Sequence, residues 1–427
     1  MEEKKKIYLC LAHMSDNGME QKYVKEAFEK NWVVPLGPNV DAFEYALEEY
    51  VNHKGKLDKR VVALSSGTAA VHLSLIALGV GPGDEVMVQS FTFCASSHPI
   101  TYLGAKPVFV DSEKDSWNMD PELLEEAIRD RINKTGKKPK AIMPVALYGM
   151  PYRIDRIMQI ARRYEIPVIE DAAEGLGSRY NGQVLGTYGE YGVLSFNGNK
   201  MITTSGGGAL ICPDTESWEK IKWYATQARE GYPYYQHEAI GYNYRMSNVC
   251  AGIGRGQMTV VDKHIAHHQH VQKMYEILLA PIPGITVHSQ PTYGEANPVF
   301  DSNYWLSTIT LNPDLRIKGQ ENAYKEMVQG AIGGAASVIH TATSATTDCQ
   351  PNDNVEALRV QLDLAGVESR PVWKPMHKQP VYKNDLAYVN GVSEGIFKIG
   401  LCLPTGPCVT DEDIAYIVDV IKNAIAE

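Results

Sequence analysis

The stretch RVVALSSGTAAVHLSLIALGVGPGDEVMVQSFTF, residues 60–93, decides the fold class. It opens on a β-branched run at 61–64, crosses small polar residues at 65–68 into a long apolar segment, turns, and enters a second apolar run at 85–88. Strand, helix and strand in that order build parallel sheets. The turn Gly79-Val80-Gly81-Pro82-Gly83-Asp84 follows a helix and precedes a strand. A dinucleotide loop must follow a strand and open a helix, so these glycines read as a tight turn and not as a nicotinamide site.

Working outward, further apolar runs occur at 107–110, 141–145, 168–170, 192–196 and 209–212. Between them, 121–132 and 154–164 carry apolar residues at three and four spacing, which predicts helices. The expected architecture is α/β, with a large doubly wound, mostly parallel sheet whose ligands sit beyond the carboxyl ends of the strands. After about residue 270 the pattern becomes mixed α+β, with strand-like 304–311, helix-like 355–365 and a short run at 369–372. We therefore expect a large domain over 1–270, beginning with an N-terminal arm, and a smaller domain over 271–427. Thr410 with Asp413 three residues on predicts a capped last helix ahead of Ile414, Ile417, Val418 and Ile421. Residues 330–354, rich in Ala, Gly, Ser and Thr, read as an insertion or mobile loop.

Composition narrows the partners. Hydrophobic residues are 44% and charged residues 22% of the 427, which excludes collagen-like, disordered and coiled-coil chains. The 41 Lys+Arg against 51 Asp+Glu give a net charge of -10, the wrong sign for holding nucleic acid through its phosphates. No run approaches the roughly 20 apolar residues a membrane helix requires. The start, MEEKKK followed by 7–11, is too short in its apolar part for a secretory leader, and the seven cysteines are dispersed without a C-x-x-C pair. Reduced thiols and a cytoplasmic location are the expectation.

Three segments carry chemistry. Ser65-Ser66-Gly67-Thr68 leaves a strand and opens a helix, the arrangement of either a phosphate cup or an ordinary helix cap. Glu170-Asp171-Ala172-Ala173-Glu174 places carboxylates at a strand end in apolar surroundings, where they need a cationic or hydrogen-bonding partner. A protonated ring nitrogen and a structural salt bridge both satisfy that need. Ser195-Phe196-Asn197-Gly198-Asn199-Lys200 puts one lysine among small residues after another strand, as a reactive amine or a solvated surface group. Together they form the inventory of a pyridoxal 5'-phosphate (PLP) enzyme: phosphate cup, carboxylate for a ring nitrogen, and lysine for a Schiff base. The cluster around His264 and His268, at i and i+4, reads as a solvated helix face and not as a metal site, since no acidic or thiol ligand completes it. Tyr232 to Tyr235 reads as a loop lining a cleft.

At this point the chain resembles the DegT/DnrJ/StrS family of nucleotide-sugar aminotransferases, which have the aspartate-aminotransferase-like (fold type I) large domain. The matching segments are WVVPLGPNVDAFE (32–44), SSGTAAVHLSLIALGVGPGDEV (65–86), SFTFCASSHPITYLGAKPVFVD (90–111), PVALYGMP (144–151), VIEDAAEGLGS (168–178), LSFNGNKMITTSGGGAL (194–210), GYNYRMSNVCAGIG (241–254), SRPVWKPMH (369–377) and LCLPTG (401–406). The spelling of SFNGNK, TTSGGG and EDAAEGLGS is most similar to members that aminate C4 of UDP-linked 4-keto-6-deoxy-N-acetylhexosamines for bacterial surface polysaccharide or glycoprotein glycans.

The resemblance implies that Lys200 forms the Schiff base with PLP and that Asp171 pairs with the protonated pyridine nitrogen. It implies that Phe93 stacks on the ring, and that Gly67, Thr68 and Ser195 bind the phosphate. Asn243 would reach the phosphate of a neighbouring subunit, so a homodimer with shared active sites is implied. Trp32, Gly37, Arg245, Lys374 and His377 are the sugar-nucleotide candidates, with subunit packing as the alternative for each. Glu174 stands beside the cofactor's phenolic oxygen where many relatives carry Gln or His, and Ala146 where His is frequent. The implied donor is L-glutamate, in a ping-pong cycle. The alternatives are amino transfer to C3 of a keto sugar nucleotide, a dehydratase, which the family associates with His in place of Lys200, and a non-catalytic regulator that binds PLP or a sugar nucleotide.

Overall fold

The computed structural model describes residues 6–53, 56–292, 300–324 and 349–426. Eight strands form the main sheet, in the order Arg60–Leu64, Gly208–Cys212, Tyr191–Ser195, Ile169–Asp171, Ala141–Met143, Glu85–Gln89, Lys106–Val110 and Leu386–Tyr388. Parallel bridges Ile142 to Val168 and Val145 to Asp171 join its two halves. Only Gly208–Cys212 runs antiparallel to its neighbours. Because side chains alternate between the faces, Val61, Ala63, Met87, Val108 and Ile142 enter one core cluster while Val62, Leu64, Val88, Phe109 and Met143 enter another. Both faces are covered, which is why these strands read as continuous apolar runs.

Helices Gly67–Ala77, Pro121–Thr135 and Ile154–Tyr164 provide part of that cover. Asp120 caps the second of these by accepting from Glu122 and Leu123 N–H, and Pro121 sits where a missing N–H costs nothing. The Gly-rich segment after residue 78 is a turn, closed by Gly81 N–H to Asp84 Oδ2 at 2.9 Å.

The later chain builds an antiparallel sheet in the order Ile285–Val287, Ser307–Leu311, Gly400–Leu403 and Arg370–Pro371. A third core cluster fills it, with Ile309, Leu401, Leu358 and the helix Asp411–Ala424. That last helix starts with both halves of the Thr410/Asp413 capping box. The helix Val261–Leu279 runs from one part to the other: Val261 and Ile265 pack with the main-sheet core, and Val271, Tyr275 and Leu279 with the third cluster. Leu386–Tyr388 then returns to the edge of the main sheet, parallel to Lys106–Val110. Of the 330–354 segment, 330–348 lies outside the described residues, and Asp353–Leu364 is helical.

His264 and His268 do not form the expected solvated face. Both are buried, with Nδ1 facing the carbonyls of Met201 at 3.2 Å and Tyr304 at 3.1 Å. Local spacing described the helix correctly; the segments at Met201 and Tyr304, distant in sequence and so not encoded in spacing, meet the rings. Among the described residues no helix is long and apolar enough to cross a membrane.

Candidate active site

Adjacent strands of the main sheet end at a cavity of about 230 Å³. Its wall brings together Gly67, Thr68, Phe93, Asp171, Glu174, Ser195 and Lys200, seven of the residues singled out from the sequence. Trp305 and Trp373, from the C-terminal part of the chain, close it.

At one end, Ser66 commits its hydroxyl to Ala69 N–H at 3.0 Å, so the ordinary cap is present. Gly67 and Thr68 then lead the helix into the cavity with its positive end. The cup has no room for larger residues. A Cβ on Gly208 would lie 2.4 Å from Gly67 N, and one on Gly67 would lie 3.1 Å from Ser195 Cβ.

The two adjacent carboxylates of the strand Ile169–Asp171 divide their roles. Glu170 turns away and accepts from Tyr188 N–H and Gly189 N–H at 2.6 Å each, Tyr152 OH at 2.8 Å and Gly186 N–H at 3.0 Å. Asp171 faces the cavity, with Oδ2 accepting from Ser96 OH at 2.6 Å and Oδ1 from Ala173 N–H at 3.1 Å. Burial pushes its carboxyl above the usual range, opposed by the Ser96 hydrogen bond, the Ala173 N–H and Lys200. A buried carboxylate with a free flank toward a cavity is suited to a protonated ring nitrogen.

Lys200 lies in the loop after Tyr191–Ser195 and is, among the described residues, the only Lys or Arg lining the cavity. Its Nζ is 3.3 Å from Glu174 Oε1 and 3.8 Å from the centre of the Trp305 ring. Glu174 Oε2 accepts from Tyr148 N–H at 2.7 Å. Burial raises the Glu174 carboxyl, and Lys200 and the Tyr148 N–H oppose that rise. Phe93 is half exposed at the mouth, 5.4 Å from Trp373.

The remaining sequence candidates are not brought to this wall. Arg245 is buried in an ion pair, with Nη1 2.6 Å from Glu44 Oε1 and 3.0 Å from Ala63 O. Trp32 and Gly37 sit together against Asn248, which donates to Trp32 O at 2.9 Å. Asn243 is exposed and bridges Thr226 through its backbone. His377 Nδ1 lies 2.7 Å from Ser90 Oγ, and Lys374 is part-buried nearby. Sequence reasoning missed Ser96 and Trp305. The first lies three residues after Phe93 in TFCAS, a hydroxyl in a segment already singled out; for Trp305 no local signal exists.

These residues fit PLP: a cradle closed by glycines, a buried carboxylate with a free flank, and a single amine. Fold and site together define a PLP-dependent transferase of fold type I. A family model for DegT/DnrJ/EryC1/StrS aminotransferases matches residues 15–332 and 320–422. EpsN of Bacillus subtilis (strain 168), whose name carries a pyridoxal phosphate-dependent aminotransferase assignment, is 41% identical over 98% of this chain and 96% of its own. GDP-perosamine synthase of Caulobacter vibrioides is 34% identical over 96% of each chain. A DegT DnrJ EryC1 StrS aminotransferase from Brucella abortus superposes with a TM-score of 0.79 at 26% identity, over 96% of each chain. The chain belongs to the DegT/DnrJ/EryC1/StrS aminotransferase family. It is a PLP-dependent aminotransferase.

Proposed function

We propose that this enzyme moves the amino group of L-glutamate to C4 of a UDP-linked 4-keto-6-deoxy-N-acetylhexosamine, working as a homodimer with shared active sites. The observation that carries the reading is Lys200, among the described residues the one lysine of the cavity, held by Glu174 on a wall it shares with Asp171 and Gly67. One relative, 35% identical over 67% of this chain, is named UDP-4-amino-4-deoxy-L-arabinose--oxoglutarate aminotransferase, which supports a C4 amine and a glutamate/oxoglutarate pair. Another is named for a 3-oxo sugar, UDP-2-acetamido-2-deoxy-3-oxo-D-glucuronate, and keeps C3 transfer as the alternative position. A GDP-linked acceptor is a second reading for the nucleotide, favoured by GDP-perosamine synthases that match along nearly the whole chain.

Bound PLP supplies an electron sink and a carrier for the amino group. The protein's part is division of charge and protons. Asp171 holds a proton on the ring nitrogen by hydrogen bonding and charge, and Ser96 fixes which oxygen does so. Lys200 Nζ, among the described residues the one basic side-chain nitrogen on the wall, would carry the proton from the donor's α-carbon to the cofactor carbon that takes the amine. Gly67 and Thr68 anchor the phosphate at the helix N-terminus. Trp305, Trp373 and Phe93 narrow the mouth and limit water.

The test is the visible absorption of PLP-loaded protein before and after L-glutamate, with Lys200→Ala in parallel, then addition of UDP- or GDP-linked 4-keto sugars. Glutamate should bleach the band and one keto sugar should restore it. A band that glutamate leaves unchanged would remove glutamate as donor or make the protein a sensor. Restoration by a 3-keto sugar alone would move the amine to C3.

A further inference from the structure

The amine of Lys200 is held between two groups from different parts of the chain. On one side is Glu174 Oε1 at 3.3 Å, in the loop after Ile169–Asp171. On the other is the face of Trp305 at 3.8 Å, two residues before the strand Ser307–Leu311 of the second sheet. A carboxylate and an indole face both favour a cation between them.

Each arm is fixed. Trp305 is buried, and its Nε1–H donates to Asn199 O at 2.6 Å, next to Lys200 in sequence. Glu174 is oriented through Oε2 by Tyr148 N–H. One buried residue ties the arms together. Asn303 Nδ2 donates to Glu174 O at 3.0 Å and to Leu176 O at 2.8 Å, while Oδ1 accepts from Trp305 N–H at 2.9 Å. The fit around it is close: a Cβ on Gly149 would lie 1.8 Å from Asn303 Oδ1. Every hydrogen-bonding position of this side chain that points at the two arms is used.

We propose that Glu174, Trp305 and Asn303 form a positioning clamp that aims Lys200, so that docking of the second sheet onto the main sheet sets the lysine's geometry. Asn303 does not itself line the cavity and acts through the two arms it hydrogen-bonds. The inference rests on Lys200 being the residue that joins PLP.

The test uses full-length, PLP-loaded protein and needs no turnover. Trp305→Leu removes the aromatic face, Trp305→Phe keeps a weaker one, and Asn303→Ala cuts the tie. Two quantities are read below each variant's melting temperature: circular dichroism of the visible PLP band, and the rate at which hydroxylamine strips PLP. In Trp305→Leu and Asn303→Ala the band should persist with reduced dichroism and a stripping rate raised about tenfold, with Trp305→Phe in between. Should Asn303→Ala fail to fold, the Trp305 pair carries the comparison alone. Wild-type dichroism and stripping in Trp305→Leu, even with a lowered melting temperature, would reduce the clamp to packing and overturn the proposal. Lys200→Ala is the separate control: a wild-type band there would overturn the Lys200 assignment itself.

Discussion

Glu170 and Asp171 are consecutive residues of one strand, and their carboxylates lie on opposite faces of the sheet, one closed by four protein donors and the other open to the cavity. Strand alternation alone turns one into the protein's own hydrogen bonds and leaves the other facing the cavity. The motif that carries both is compact in sequence but not in function.

Their amides should therefore fail differently. Glu170→Gln turns an NH2 toward donors already pointing inward, losing charge-assisted bonds to the 186–189 loop, for a cost of about 2–3 kcal/mol in denaturant melts. PLP should still bind and turn over in the folded fraction. Asp171→Asn should leave stability unchanged or improved, because burial already disfavours its charge. Its kcat should fall on the order of a hundredfold or more, as for other lost electrostatic groups. Equal loss of stability in both variants would contradict this division.

The proposed phosphate cup depends on backbone proximity. Gly208→Ala places a methyl 2.4 Å from Gly67 N, on a rigid strand that cannot retreat, and should weaken PLP binding at least tenfold by equilibrium dialysis. Gly198→Ala, in the neighbouring loop with nothing within 4 Å of the new Cβ, is the control and should bind normally. Normal binding by Gly208→Ala would mean that the phosphate sits elsewhere.

Glu174→Gln keeps an oxygen for Tyr148 N–H and removes the charge facing Lys200. We expect kcat to fall about 10- to 100-fold with KM for the keto sugar little changed, since on the proposed function the affected step is proton transfer at Lys200. Glu174→Ala should cost more, because it also leaves the Tyr148 N–H unpaired. A raised KM with intact kcat would instead make Glu174 a substrate contact.

What was legible in the sequence follows one physical line. The seven main-sheet strands between Arg60 and Cys212 read correctly because each is buried on both faces, and the Thr410/Asp413 cap because its partners are three residues apart. Lys200, Asp171 and Gly67 could be picked out as candidates because each lies at or after the carboxyl end of a strand, and the fold brings all three to one cavity. Leu386–Tyr388 did not, since a three-residue edge strand with exposed Leu386 shows no period. Trp305 lies 105 positions from the lysine it covers, and Ser96 lies 75 from Asp171. Arg245 looked available for a ligand because nothing near it in sequence announces Glu44, 201 positions away.

Buried histidines make a last, pH-dependent prediction. His268 is buried and His288 part-buried, and desolvation pushes both rings down to about 3. His288 stacks on Trp117 at 3.7 Å, and among the described residues neither His268 nor His288 has a hydrogen-bond partner at Nε2. The unfolded chain takes up a proton on each near the ordinary value of 6.5, while the folded chain does not until about pH 3. Each therefore contributes stability that is present above pH 6.5 and is lost as pH falls toward 3, by about 1.4 kcal/mol per pH unit. Buried Glu170, Asp171 and Glu174 act in the opposite sense, because their raised carboxyls favour folding as they gain protons. The comparison that isolates one histidine is the pH slope in His288→Gln against wild type, from urea melts at pH 6 and pH 5. The slope should be shallower by about 1.4 kcal/mol per unit in the variant, whatever its stability at pH 7. Identical slopes would mean that His288 finds a proton in the folded state, and that the second sheet opens enough in mild acid to let water reach the Trp117 stack.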